Sequence, residues 1–187
     1  VGFLAVDHHP HISDPVLDNM RRHISSAETR ALLAEIRRRV PGIHIRTTLM
    51  VGFPGEGDKE FDELMAFVEE QRFERMGAFA YCEEEDTYAA RHLDDSIPDT
   101  VKQSRLDQLM ALQEKISLEI QESKVGSTMR VVVDREEPDY YIGRTEYDSP
   151  EVDPEVLIEK QRKLKRGEYL DVEITSALPF ELIGRPV

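Results

Sequence analysis

With 187 residues, 40% of them hydrophobic, the chain has material for one medium domain or two small ones with packed cores. A formal charge of −14, from 38 acidic against 24 basic side chains, works against tight nucleic-acid binding, which needs Lys and Arg to displace counterions; a basic protein surface is the more natural partner. No segment approaches the ~20 apolar residues of a membrane helix, and a single cysteine, Cys82, excludes an internal disulfide or a thiolate metal cage built from this chain alone, so a reducing cytoplasm fits.

Residues 1–6 are almost wholly apolar and read as a buried strand, and the opening at Val1 reads as that of a piece cut from a longer protein. Asp7, His8, His9, His11 and Asp14 follow. Imidazoles and carboxylates can hold a metal, yet the spacing matches no zinc pattern, and hydrogen-bonded loop histidines are the plainer reading. Ser25 and Glu28 have capping-box spacing. Leu32, Leu33, Ile36 and Val40 then mark one face of a helix that Pro41 and Gly42 stop, with Arg37, Arg38 and Arg39 complementing the dipole in its last turn. Residues 43–52, β-branched and apolar, predict a strand covered on both faces that ends in Gly52, Phe53, Pro54 and Gly55. Phe61, Leu64, Met65 and Val68 predict a second helix, and residues 76–81 another short strand. Strands alternating with helices predict a parallel sheet with crossover helices, the α/β class.

Residues 82–95 are acidic and irregular, as in a loop at a sheet rim. Ser96 and Pro98 open a long helix on which Leu106, Leu109, Leu112, Ile116 and Ile120 step by three or four, reaching about residue 124 before Gly126 ends it. The period then becomes that of strands over 128–133, 140–145, 156–158, 169–175 and 180–184, broken by turn residues, which predicts a small all-β barrel. The domain boundary therefore falls near 124, dividing the chain into 1–124 and 125–187.

In parallel α/β structures ligands sit at the carboxyl ends of strands, where Gly52, Phe53, Pro54, Gly55 and Glu56 lie; the glycines allow close backbone approach, although an ordinary turn uses the same residues. Arg21, Arg22 and Arg46 suit a carboxylate clamp or, equally, surface ion pairs. Cys82 has no nucleophile signature around it and reads as a small buried residue. Ten acidic residues between Asp134 and Glu159, followed by five basic ones from Lys160 to Arg166, read either as a solvated surface or as an acidic docking face.

Several motifs occur in an order and spacing that resembles the RimO-type methylthiotransferases over nearly the whole chain. They are His11-Ile12-Ser13-Asp14, Met20-Arg21-Arg22, the run from Arg46 to Glu56, Asp134-Arg135 with the run from Tyr140 to Glu146, and the segment from Thr145 to Asp153, which is especially similar to the TRAM domain of that family. The resemblance implies the C-terminal part of a radical S-adenosylmethionine (SAM) partial (β/α) barrel followed by a TRAM β-barrel. It implies a cytoplasmic enzyme that uses SAM and 4Fe–4S clusters to add a methylthio group to Cβ of an aspartate in a small-subunit ribosomal protein. The cluster cysteines are expected upstream of this chain, which is expected to be inactive alone and to hold no metal ligands. By the same resemblance Val51, Gly52, Pro54, Gly55, Glu56, His11, Ser13 and Arg46 are expected at SAM. Arg22 is expected at the substrate, with Asp148, Glu151 and Asp153 docking a basic ribosomal protein. Cys82 stands where the family has Ser, and Asp86 where it has Gly. Two alternatives are a tRNA-modifying enzyme of the sister MiaB type, disfavoured by the acidic TRAM segment, and a non-catalytic TRAM-type binding module.

Overall fold

The computed structural model describes residues 3–5, 10–149 and 153–187, so the readings placed on Asp7, His8, His9 and Glu151 lie outside the described residues. The chain forms two compact units, Leu4–Gln113 and, in the main, Glu114–Val187.

In the first unit, β1 (Phe3–Ala5) leads to the short helix α1 (Asp14–Asn19) and then α2 (Ser26–Arg39). The predicted capping box is present: the Ser25 side chain accepts from the Glu28 N–H, and Glu28 accepts in return from the Ser25 N–H. The Ser25 hydroxyl, donating to the Glu28 carboxylate, and then the Ser25 N–H hold that carboxyl below its usual range. The helix buries Thr29 and Leu33 with Ile36 half-buried, whereas Leu32 and Val40, read as core, are exposed. At its end Arg37 donates to Glu74 at 2.8 Å, and Glu74 accepts the Ile45 N–H, tying the helix to the strand that follows.

That strand, β2 (His44–Val51), is followed by α3 (Asp58–Gln71) and β3 (Arg75–Ala80). β2 and β3 pair in parallel, from Arg46 opposite Arg75 to Val51 opposite Ala80, with β1 on the other side of β2. α3 is the crossover and buries Phe61, Leu64, Phe67 and Val68. Ile45, Thr47, Leu49 and Val51 are buried while Thr48 is exposed and its even-numbered neighbours half-buried, the alternation of a strand screened on one face, not two. Leu4 and Ala5 are likewise exposed, against the buried strand read there, because β1 borders the three-stranded sheet.

Beyond β3, Thr87 caps a short helix α4 (Tyr88–His92) inside the segment read as a plain loop. Asp86, just before it, is left-handed (φ 66), the conformation for which glycine is the least strained choice and Asp among the better tolerated alternatives. α5 (Asp99–Glu122) buries Lys102, Arg105, Leu109, Gln113, Ile116, Ser117 and Gln121, so its buried row is mostly polar. The two units divide within this helix. In the first, Gln113 donates to the Phe73 carbonyl at 3.0 Å, and one turn later, in the second, Ser117 donates to the Pro179 carbonyl.

The second unit is a closed barrel of β4 (Thr128–Glu136), β5 (Tyr140–Thr145), β6 (Glu155–Glu159), β7 (Tyr169–Leu178) and β8 (Glu181–Pro186), in the order β4-β5-β6-β8-β7. All pairings are antiparallel except β6 with β8. Register shifts at Val133/Arg135 and Ile174/Ser176 bend the strands enough for closure. The core is apolar throughout, with Val131, Val133, Ile158, Val172 and Ile174 at its centre. Gly143 and Gly184 let strands approach closely, since a Cβ on either would meet a neighbouring backbone carbonyl at 2.5 to 2.6 Å.

Candidate functional site

At the carboxyl end of β2 the chain turns through Gly52 (φ 74) and Gly55 (φ 95), with the Glu56 N–H donating back to the Phe53 carbonyl at 2.9 Å. Side chains cannot grow at either glycine: a Cβ on Gly52 would overlap the Lys102 stem, and one on Gly55 the Asn19 amide. Asn19 also donates to the Pro54 carbonyl at 3.0 Å, so the end of α1 and the turn are fixed to each other.

Inside the turn lies a buried ionic cluster. Glu56 is 2% exposed, and its Oε1 accepts from the Gly52 N–H and from Arg105 Nη1, each at 2.9 Å. Its Oε2 is 3.1 Å from His11 Nε2. The Ser13 N–H donates to His11 Nδ1 at 3.0 Å, which places the imidazole proton on Nε2 and makes His11 a donor to the carboxylate. Arg105 also donates to the Glu56 carbonyl at 2.9 Å and, through Nη2, to Asp58 at 2.8 Å. Both oxygens of the Glu56 carboxylate are thus engaged, and one buried cation offsets one buried anion.

A second pair sits beside the first. Lys102, 4% exposed, donates to Asp95 at 2.6 Å and holds its ammonium 5.2 Å from the centre of the Tyr81 ring. The Tyr81 hydroxyl is buried with no hydrogen-bond partner among the described residues. Burial first, and then the acids Glu83, Asp95 and Cys82, hold this phenol above its usual range.

Next to the corner a cleft of about 220 Å³ opens over Met20, Met50, Phe53 and Ala89. Arg21, Arg22 and Tyr88 also line it. The Arg21 guanidinium lies 4.1 Å from the centre of the Tyr88 ring, and His92 stacks on the same ring at 4.3 Å and 12°.

Of the residues singled out in the sequence, His11, Ser13, Val51, Gly52, Pro54 and Glu56 are buried together at the corner, where Gly55 is its exposed residue. His11, Ser13 and Glu56 bind one another, so they hold the turn's shape. Arg22 lies at the cleft. Arg46, half-buried on β2 and roughly 16 Å before the corner at ~3.3 Å per residue, is not brought there. Cys82 is exposed, correcting the buried reading, because the chain leaves the sheet at Tyr81. Asp148 is buried against the Thr145 hydroxyl and half-buried Asp153 accepts the Ser149 N–H at 2.7 Å, so both shape the turn after β5. The acidic run is laced into cross-strand pairs: Arg135 grips Glu155 at 2.6 and 2.9 Å, Arg144 pairs Asp134, and Lys160 pairs Glu136. Among the described residues no group of His, Cys, Asp and Glu is placed to hold a metal, and no helix is long and apolar enough to cross a membrane.

Arg105 and Lys102 were missed. The available signal was their helical spacing ahead of Leu109 and Gln113, a single row in which two cations look solvated until their partners are known.

The sequence profile of the TRAM domain matches residues 125–187, which contain the whole five-stranded barrel. Over 94% of its length the chain is 59% identical to the ribosomal protein uS12 methylthiotransferase RimO of Parabacteroides distasonis. It is 58% identical over 92% to that of Phocaeicola vulgatus and 56% identical over 94% to that of Bacteroides thetaiotaomicron. The chain belongs to the RimO family. It spans about 40% of the length of these RimO relatives. Identity to RimO extends through both units, so the charged corner and the barrel both fall within the matched region.

Proposed function

We propose that the whole protein is a cytoplasmic radical SAM methylthiotransferase that places a methylthio group on Cβ of an aspartate of ribosomal protein uS12, this chain being its C-terminal part. The identity to enzymes named for that reaction carries the reading. The described residues do not fit a 4Fe–4S cluster, since one exposed thiol is the only cysteine, so the cluster is assigned to the remainder of the protein. The corner does fit the family's use of the strand end for SAM. Gly55 presents an exposed, side-chain-free backbone at the turn, and Phe53 forms an apolar wall fixed edge-on to Tyr81 at 4.9 Å. SAM, once reduced, supplies the hydrogen abstraction from an unactivated carbon that side-chain acids and bases cannot perform. The chain's own residues orient and enclose. Gly52 and Gly55 bring backbone close, His11 and Arg105 fix the Glu56 carboxylate, and that carboxylate fixes the Gly52 N–H.

The partner in this reading is uS12, with the TRAM barrel as the docking unit. Asp148 and Asp153 each already hold a partner within the turn after β5. The test is anaerobic incubation of the reconstituted full-length protein with SAM and either a uS12 peptide or tRNA, read by mass spectrometry. Replacement of one hydrogen by a methylthio group on the peptide aspartate is expected. Modification of tRNA adenosine instead transfers the protein to the MiaB-type reading, and the absence of both SAM cleavage and modification supports a non-catalytic binding module.

A further inference from the structure

The cleft over Met20, Met50, Phe53 and Ala89 is bordered by two exposed arginines. In a chain with fourteen more acids than bases, neither Arg21 nor Arg22 forms an ion pair with any described residue. On its other side Arg22 borders an opening shared with Asp14, Asp18 and Glu28; of these, Asp14 accepts the Ser26 N–H at 2.6 Å and Glu28 is held by Ser25. Arg21 is instead immobilised: its backbone is left-handed (φ 56), its N–H donates to the Asp18 carbonyl, and its guanidinium lies on Tyr88, whose ring also stacks with His92. Two planar groups at such distances require opposite faces of the ring, so Arg21, Tyr88 and His92 make a three-layer wall. Beside it Arg22 is exposed at the cleft's rim, where its guanidinium can meet a ligand. An apolar floor under an unpaired guanidinium strengthens its pairing with an anion, and the fork geometry of Arg matches a carboxylate with two parallel bonds.

We propose that this cleft recognises the side-chain carboxylate of the target aspartate, with Arg22 as its partner and the Arg21–Tyr88–His92 stack as the fixed wall that sets the side chain's approach. The proposal rests on the methylthiotransferase reading and adds to it a residue that selects aspartate over asparagine. The carboxylate of SAM has the same chemistry, and the experiment separates the two sources.

The full-length reconstituted protein is titrated with a labelled uS12 peptide carrying the target aspartate and with its asparagine counterpart, by fluorescence anisotropy. The variants are Arg22→Met, Arg22→Lys and Tyr88→Leu, and SAM cleavage without peptide is followed in parallel. Wild type is expected to prefer the aspartate peptide by about ten- to one-hundred-fold, the range of a charge-assisted pair. Arg22→Met is expected to erase that preference, Arg22→Lys to recover part of it, and Tyr88→Leu to weaken both peptides. Equal binding of the two peptides by wild type, or an unchanged preference in Arg22→Met, overturns the assignment. A fall in peptide-free SAM cleavage with peptide preference intact also overturns it, giving the cleft to the SAM carboxylate. Discrimination in binding without any methylthio transfer defeats the proposed reaction but leaves the carboxylate cleft standing.

Discussion

The two units solve the problem of a stable interior in opposite ways. The barrel excludes charge from its core, which is made of Val, Ile, Leu and one Tyr, and keeps its ion pairs outside. The α/β unit buries charge: Glu56, Arg105, Lys102 and His11 are all 6% exposed or less, and they meet at the end of β2 where its functional reading lies. An apolar core tolerates loss of any one member in proportion to volume, whereas a buried ionic cluster fails when one partner leaves.

That contrast is open to attack by substitution, and the largest effect is expected at Glu56. Glu56→Ala leaves the buried Arg105 only the exposed Asp58 carboxylate and should destabilise the α/β unit by about 3–5 kcal/mol, with barrel stability unchanged; urea unfolding followed by amide hydrogen exchange, read separately for α3 and for the barrel strands, separates the two. A comparable loss in both transitions would show that the units are not independent in stability. In the barrel, Ile158→Ala should cost about 2–5 kcal/mol by cavity formation. Gly143→Ala, whose methyl would meet the Val132 carbonyl at 2.5 Å, should cost about 1–3 kcal/mol by overpacking.

Tyr81→Phe removes a buried hydroxyl without a partner and should be neutral or stabilising by up to about 1 kcal/mol at neutral pH. The sign at high pH follows from the raised phenol. The unfolded chain loses this proton near pH ~10 and the folded one later, so wild type loses stability as pH climbs above the unfolded value, and Tyr81→Phe should flatten that alkaline decline. Arg135→Ala, despite its bidentate grip on Glu155, removes an exposed pair and should cost less than about 1 kcal/mol in thermal melts.

The same contrast explains what was readable in the sequence. Barrel strands alternate with period two and are bounded by turn residues, so all five were placed within a few positions. The Ser25 and Glu28 capping box was legible because both partners lie three residues apart. The corner was half legible. Its glycines, Glu56, His11 and Ser13 announced themselves by type and place, but Arg105 lies 49 residues from Glu56 and no local pattern links them. On α5 the reading favoured Leu106, Leu112 and Ile120, all only half-buried, over Lys102 and Arg105, because unpaired cations look solvated. Asp148 misled in the other direction: an acidic run suggests a surface, and only the fold shows its carboxylate turned in on Thr145.

The one parallel pairing in the barrel, β6 with β8, carries a consequence for biosynthesis. β8 is hydrogen-bonded on both sides, to β6 and β7, so it is the stave that turns an open ribbon into a closed cylinder. During vectorial synthesis, four strands must wait unsealed until residues 181–186 emerge, and a chain halted before Glu181 presents two adhesive edges at once.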